Sequence, residues 1–225
     1  MFLSQSPIFG ILLTLFVAFF VLKLKNKIDK TWFNYMAMSI IVIISVLLLL
    51  DIPYKDYAKG GDIILSILGP ITVILAVPLY KHHHSLMKNI LPIFVGVVVG
   101  SLTSVASVYL LSTLFGLDAT LMHSFLVKSV TTPIAISSSY LVGGILSLSI
   151  LSVVFSGVFG ALFGSALFKQ LGIKNSIALG MGFGVSAHAI GTARAFELGE
   201  LEGSMAALSI VLSGICTIFW LYLFF

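Results

Sequence analysis

The chain has 225 residues, 59% of them hydrophobic and only 9% charged, against roughly 25% charged in soluble domains, which excludes a water-soluble globular fold. Its formal net charge of +4 is read as the loop bias that orients a membrane protein rather than as a nucleic-acid surface. A single cysteine, Cys216, excludes an intramolecular disulfide framework and a cysteine metal site.

The apolar runs are continuous rather than alternating at period two, so helices are the expected spanning element. Six transmembrane helices are predicted, at about 7–22, 32–50, 62–80, 90–115, 145–168 and 204–224. Ser6 and Pro7 open the first with a cap and a proline at the first helical position. No basic residue precedes that apolar run, so no cleaved signal peptide is expected. Lys23, Lys25, Lys27 and Lys30 follow the first span, and Lys81 and Lys88 the third, while the loop from Asp51 to Gly61 balances acids against lysines. The positive-inside rule then places 23–31 and 81–89 in the cytoplasm of a plasma-membrane protein, with the N- and C-termini outside.

Two further segments, 120–142 and 176–199, are apolar enough for the membrane yet interrupted by polar residues. At an offset of 56 they align without gaps, placing Gly116 on Gly172, Thr120 on Ser176, Thr132 on His188 and Ile134 on Ile190. The helices before them are both rich in small residues. The pattern predicts an all-α polytopic membrane protein with an internal repeat, divided as an N-terminal three-helix scaffold (1–88), repeat 1 (89–143), repeat 2 (144–199) and a C-terminal helix (200–225). Paired interrupted segments in corresponding halves point to a transporter substrate site. Arms of about ten residues reach ~15 Å, half the hydrocarbon thickness, so each segment can dip to the midplane and return. Re-entrant segments would make the repeats inverted and put Lys169 and Lys174 in the cytoplasm; broken helices that cross would make them parallel. The inverted arrangement is preferred.

Lys128, His188, Arg194 and Glu197 are the ionisable residues expected at membrane depth in this half, where such groups mark a site by default. Pro133 removes a donor and unwinds the chain at Thr132, beside the hydroxyls of Ser129 and Thr131. A lysine, three hydroxyls and a helix N-terminus suit a carboxylate. In the second segment Gly184 and Gly191 weaken the helix, Ser186, His188 and Thr192 offer polar contacts, and Arg194 offers a fork that fits a carboxylate. His188 and Glu197 are candidates for a proton relay.

Plainer readings stand beside these. Arg194 and Glu197 are i, i+3 and can pair with each other; His188 can bridge two helices by hydrogen bonds; Lys128 can snorkel to an interface. Ser137, Ser138 and Ser139 read as close-packing residues, as do the small residues at 96, 100, 104 and at 157, 160, 164. His82, His83 and His84 read as a solvated loop. No spacing matches a catalytic triad, a metal-ligand set or a phosphate loop, so neither an enzyme, nor a metal, nor a cofactor is expected. A cation exchanger is disfavoured because Glu197 is the one candidate intramembrane acid.

"KSVTTPIAI" (Lys128 to Ile136) followed by "SAHAIGTARAFELGE" (Ser186 to Glu200), with "LGIKNSIALGMGFG" leading into it, resembles the LrgB/CidB family of antiholin-like membrane proteins over essentially the whole chain. Ala189 stands where the family commonly has glycine, and "SSSYLVGG" after Ile136 departs from its usual stretch. The resemblance implies two functions. One is control of murein hydrolases and lysis beside a small LrgA- or CidA-like partner. The other is carriage of short monocarboxylates, glycolate and glycerate as in plastid relatives, or pyruvate, lactate and related acids as in bacterial two-gene systems of this kind. An inward-facing Lys, His and Arg with paired helix breaks favours the carrier. The expected site lies between the tips of the two segments, with Lys128 and Arg194 neutralising the carboxylate and Ser129, Thr131, Thr132 and Thr192 bonding its oxygens. A homodimer is expected from carriers of this build.

Overall fold

The computed structural model describes residues 6–25, 27, 35–67, 70, 73 and 76–225, which are all-helical with turns and no strands. The chain divides into two compact units, residues 1–76 and 77–225.

In the first unit, α1 (Pro7–Lys25), α2 (Tyr35–Leu49) and α3 (Tyr54–Ser66) are helical. Gly10 of α1 and Gly60 of α3 let the two backbones touch, since a Cβ on either would strike the other helix, the small-residue contact by which membrane helices approach closely. Thr14 and Tyr57 share a hydrogen bond of 2.9 Å across the same contact. Two expectations are corrected. The loop expected from Asp51 to Gly61 is largely the start of α3, whose amphipathic first half the charge count alone had read as coil. The span expected at 62–80 is not one helix, since α3 ends at Ser66. Lys30, the start of the expected second span, and several residues between 68 and 75 lie outside the described residues.

The second unit holds two short helices, α4 (Ala76–Lys81, beginning at the boundary) and α5 (His83–Lys88). They are followed by α6 (Ile90–Leu114), α7 (Ala119–Leu126), α8 (Thr132–Val142), α9 (Leu146–Gln170), α10 (Ser176–Leu198) and α11 (Glu200–Phe224). His83 and His84 are exposed, as expected, but stand in the first turn of α5 rather than in a loop. The bounds of α6 and α9 differ by 56 at both ends, and Gly116 and Gly172, just beyond them, both take left-handed φ angles of 64° and 70°, as helix-terminating glycines do.

Among the described residues, α1, α6, α9, α10 and α11 are long and apolar enough to cross a membrane. This is a multi-pass membrane protein. One of the five, α10, is not straight. His188 leaves helical geometry at φ 41°, ψ −133°, separating arms 176–187 and 189–198. Gly180 abuts Glu202 and Phe196 abuts Gly203 at the start of α11, whereas a straight helix would hold residues 180 and 196 ~24 Å apart. The segment therefore folds back on itself. The α7–α8 segment does likewise: the Ile145 N–H donates to Ser124 Oγ at 2.7 Å, although 21 helical residues would span ~30 Å.

The first arm of α10 runs through the middle of the unit because glycine relieves each contact. Gly180 and Gly184 admit the backbone of α11 at Glu202 and Ala206, Gly96 and Gly100 of α6 face Met181 and Val185, and Gly160 and Gly164 of α9 face Ala187 and Phe183. Gly184 and Gly191, expected as helix breaks, lie inside the helical arms, and the break falls on His188 instead. The glycines serve close approach rather than unwinding.

Candidate functional site

The first break is a stretch of turns from Val127 to Val130, closed by Thr131 as N-cap of α8. Pro133 falls in the first turn of that helix, where its missing N–H costs nothing. The break presents Lys128 and Ser129 to a cavity of about 1010 Å3 bounded by α6, α9 and the first arm of α10. The Lys128 Nζ donates to Ser104 Oγ at 3.1 Å and to Ser129 Oγ at 3.2 Å, and these two hydroxyls share a bond of 2.7 Å. Among the described residues no carboxylate lies within 4 Å of this ammonium.

Depth follows from the neighbours. Ser104 and Phe155 stand near the middle of α6 and α9, each 25 residues and thus ~37 Å long, so Lys128 sits near the midplane of any bilayer those helices cross. A cation at a helix centre costs roughly 2.5–3.5 kcal/mol on insertion scales. Two neutral hydroxyls offset only part of that. An anion entering the cavity would complete the set of partners.

The second break is built differently. His188 is buried, and its Nε2 lies 2.9 Å from the Val153 carbonyl of α9, with Gly157 hollowed beneath the ring. A non-glycine residue at this φ and ψ stores roughly 1–3 kcal/mol of strain, held by that hydrogen bond and the packing around it. Thr192 is also buried, its hydroxyl without a hydrogen-bond partner among the described residues. Arg194 forms an ion pair with Glu197. None of His188, Thr192, Arg194, Thr131 and Thr132 lines the large cavity, whereas Lys128, Ser129 and Ser186 do. The expected constellation is therefore divided: its Lys128 half faces open space, and its Arg194 half pairs within its own helix arm.

Other lining residues were not among those expected to bind. Thr103, Ser104 and Ser107 of α6 and Ser156 of α9 supply hydroxyls, and the rings of Phe155, Phe159 and Phe163 follow one another along α9 with centroids 5.9 and 4.6 Å apart. The sequence carries the signal in Thr103, Ser104 and Ser107, which share a helix face with Gly96 and Gly100. That face both packs against α10 and hollows the cavity. No group of three or more His, Cys, Asp or Glu that could hold a metal ion occurs among the described residues.

The LrgB-like family model matches residues 14–225. Antiholin-like protein LrgB of Bacillus subtilis (strain 168) is 35% identical over 217 residues, covering 96% of this chain and 94% of the relative. The LrgB of Bacillus mycoides (strain KBAB4) is 32% identical over the same shares. Uncharacterized protein YxaC of Bacillus subtilis (strain 168) is 36% identical over 205 residues, 91% of this chain and 89% of the relative. No solved structure matches the chain.

Proposed function

The chain belongs to the LrgB-like family, and from that premise we propose that it is a carrier or facilitator for small monocarboxylates of the pyruvate, glycolate, glycerate or lactate class. The observation that carries this reading is Lys128, a cation at mid-membrane depth whose partners are the hydroxyls of Ser104 and Ser129 and which faces a cavity of about 1010 Å3. Lys128 neutralises the carboxylate, and Ser129 and Ser104 turn their hydroxyls to its oxygens. Ser156 of α9 and Ser186 of α10 also line the cavity and would serve a 2-hydroxyl or 2-oxo group. His188, Thr192 and Arg194 shape the hairpin behind this site instead of touching substrate.

The proposal includes an inverted repeat of residues 89–143 and 144–199. It is supported by the matching bounds of α6 and α9, the left-handed glycines at 116 and 172, and the two folded-back segments. Orientation by the positive-inside rule puts Lys88, Lys169 and Lys174 in the cytoplasm and both termini outside the plasma membrane. A homodimer working beside an LrgA-like partner completes the proposal.

The test is uptake of labelled pyruvate or glycolate into proteoliposomes, with and without the LrgA-like partner. Saturable uptake that Lys128→Ala reduces to the protein-free background is expected. Absence of saturable uptake in both preparations overturns the carrier reading.

A second reading, from a different class, is favoured by the names of the relatives, two of which are called antiholin-like. A regulator of a holin-type pore would give partner-dependent leakage and no carboxylate binding. A rise in melting temperature of the purified protein with millimolar pyruvate or glycolate separates the two, since only a ligand that binds the folded state stabilises it.

A further inference from the structure

Lys128 belongs to the walls of two cavities. The second, of about 450 Å3, is lined by Ser112 near the end of α6, by Leu117 just after that helix and by Leu151 and Ser152 near the start of α9. Along α6 the large cavity takes residues from Pro92 to Ser107 and the small one from Val108 onward. Along α9 the order reverses, the small cavity taking Leu151 to Ser156 and the large one Phe155 to Phe168. The two spaces are therefore stacked end to end along an antiparallel pair of helices. Among the described residues they share three lining side chains, Lys128, Phe155 and Ser156.

This arrangement divides one path into two vestibules with the cation at the division. Hydroxyls mark both sides: Thr103, Ser104 and Ser107 toward the large cavity, Ser112 and Ser152 toward the small one. Several rest on their own helix, Thr103 on the Val99 carbonyl, Ser107 on that of Ser104 and Ser152 on that of Ser149. They are thereby satisfied when the path is empty and free to rotate toward a passing oxygen. Lys128 stands on unwound backbone between α7 and α8, so its ammonium can swing between the two spaces without disturbing a helix.

We infer that Lys128, with Phe155 and Ser156, is the partition of an anion path along the α6–α9 groove. Two aqueous vestibules open to opposite membrane faces, and a small carboxylate is passed across at this one cation. The inference deepens the carrier reading and rests on it. It also moves the path away from the tips of the two hairpins.

The test uses the full chain in sealed membrane vesicles with Cys216→Ala as background. Thr103→Cys reports on the large cavity and Ser152→Cys on the small one, both near-isosteric changes. Should either variant melt below its parent, Ser107→Cys or Ser112→Cys replaces it. A membrane-impermeant thiol reagent is applied to right-side-out and to inverted vesicles. The expected result is labelling of position 103 from one face only and of position 152 from the other only. Pyruvate or glycolate is expected to slow both reactions at least about threefold. Labelling of both positions from one face, of both from either face, or of neither overturns the inference, the last because grooves filled by lipid exclude the reagent. Labelling does not depend on turnover. Failed one-sided labelling with uptake intact sinks the partition alone, whereas one-sided labelling without uptake or protection sinks the carrier reading.

Discussion

The two broken segments of the second unit occupy matching places in the chain and do opposite things with their charge. The first breaks over several residues of turn and leaves the Lys128 ammonium, among the described residues, bonded to two hydroxyls and facing a cavity. The second breaks at the single residue His188, buried and held by the Val153 carbonyl, and its arginine pairs with Glu197 three residues on. A polar residue at membrane depth is therefore not a binding residue by its depth alone. What separates the cations of the two segments, among the described residues, is whether a carboxylate stands beside them.

The contrast can be broken at four points. The largest effect is expected from Gly184→Val, which drives a side chain into the Ala206 backbone of α11 and should lower stability by about 3 kcal/mol by overpacking. A thermal melt in detergent reads it, and an unchanged melting temperature would mean that the first arm is not packed as described. Next, Lys128→Ala removes a charged partner worth about 2 kcal/mol to a bound carboxylate. Pyruvate or glycolate should then bind about 30-fold more weakly in a ligand-induced melting shift, with the unliganded protein little changed.

His188 sharpens the comparison from the other side. His188→Ala loses the Val153 bond and keeps the strained φ, whereas His188→Gly loses the same bond but adopts that φ without strain. The glycine variant should be the more stable by about 1 kcal/mol, with carboxylate binding retained in both. Binding lost in both variants while the fold persists would return His188 to the site. The smallest effect is expected for Arg194→Ala, because a partly exposed i, i+3 ion pair contributes no more than about 1 kcal/mol. Uptake at wild-type levels in this variant, against background levels for Lys128→Ala, would place the two cations in separate roles.

Much of this fold is legible along the chain. The apolar runs that become α1, α6, α9 and α11 stand out, and the offset of 56 picks out two segments that fold back. The α3 helix was harder to see, because its first half mixes charges with apolar residues and so resembles a loop by composition. Glycine was ambiguous in the same way. Gly184 and Gly191 weaken a helix in isolation, yet here they let neighbouring backbones touch, and only the neighbours reveal which use prevails. Of the candidate site, Lys128 and Ser129 stood out as polar groups beside a proline, and the cavity receives both. The hydroxyls of Thr103, Ser104 and Ser107 went unrecognised because a face of small residues looks the same whether it packs or hollows.

By itself the sequence determined the membrane class, the apolar runs that become α1, α6, α9 and α11, and the two segments interrupted by polar residues, since each depends on local hydropathy and composition. Tertiary structure decided which of Lys128 and Arg194 stands, among the described residues, without a carboxylate beside it. Arg194 and Glu197 are spaced to meet on one arm, whereas Lys128 takes one partner, Ser129, from the next residue and the other, Ser104, from a helix more than twenty residues away. Whether a charge at membrane depth is satisfied or waiting for a ligand depends on what the rest of the chain brings beside it.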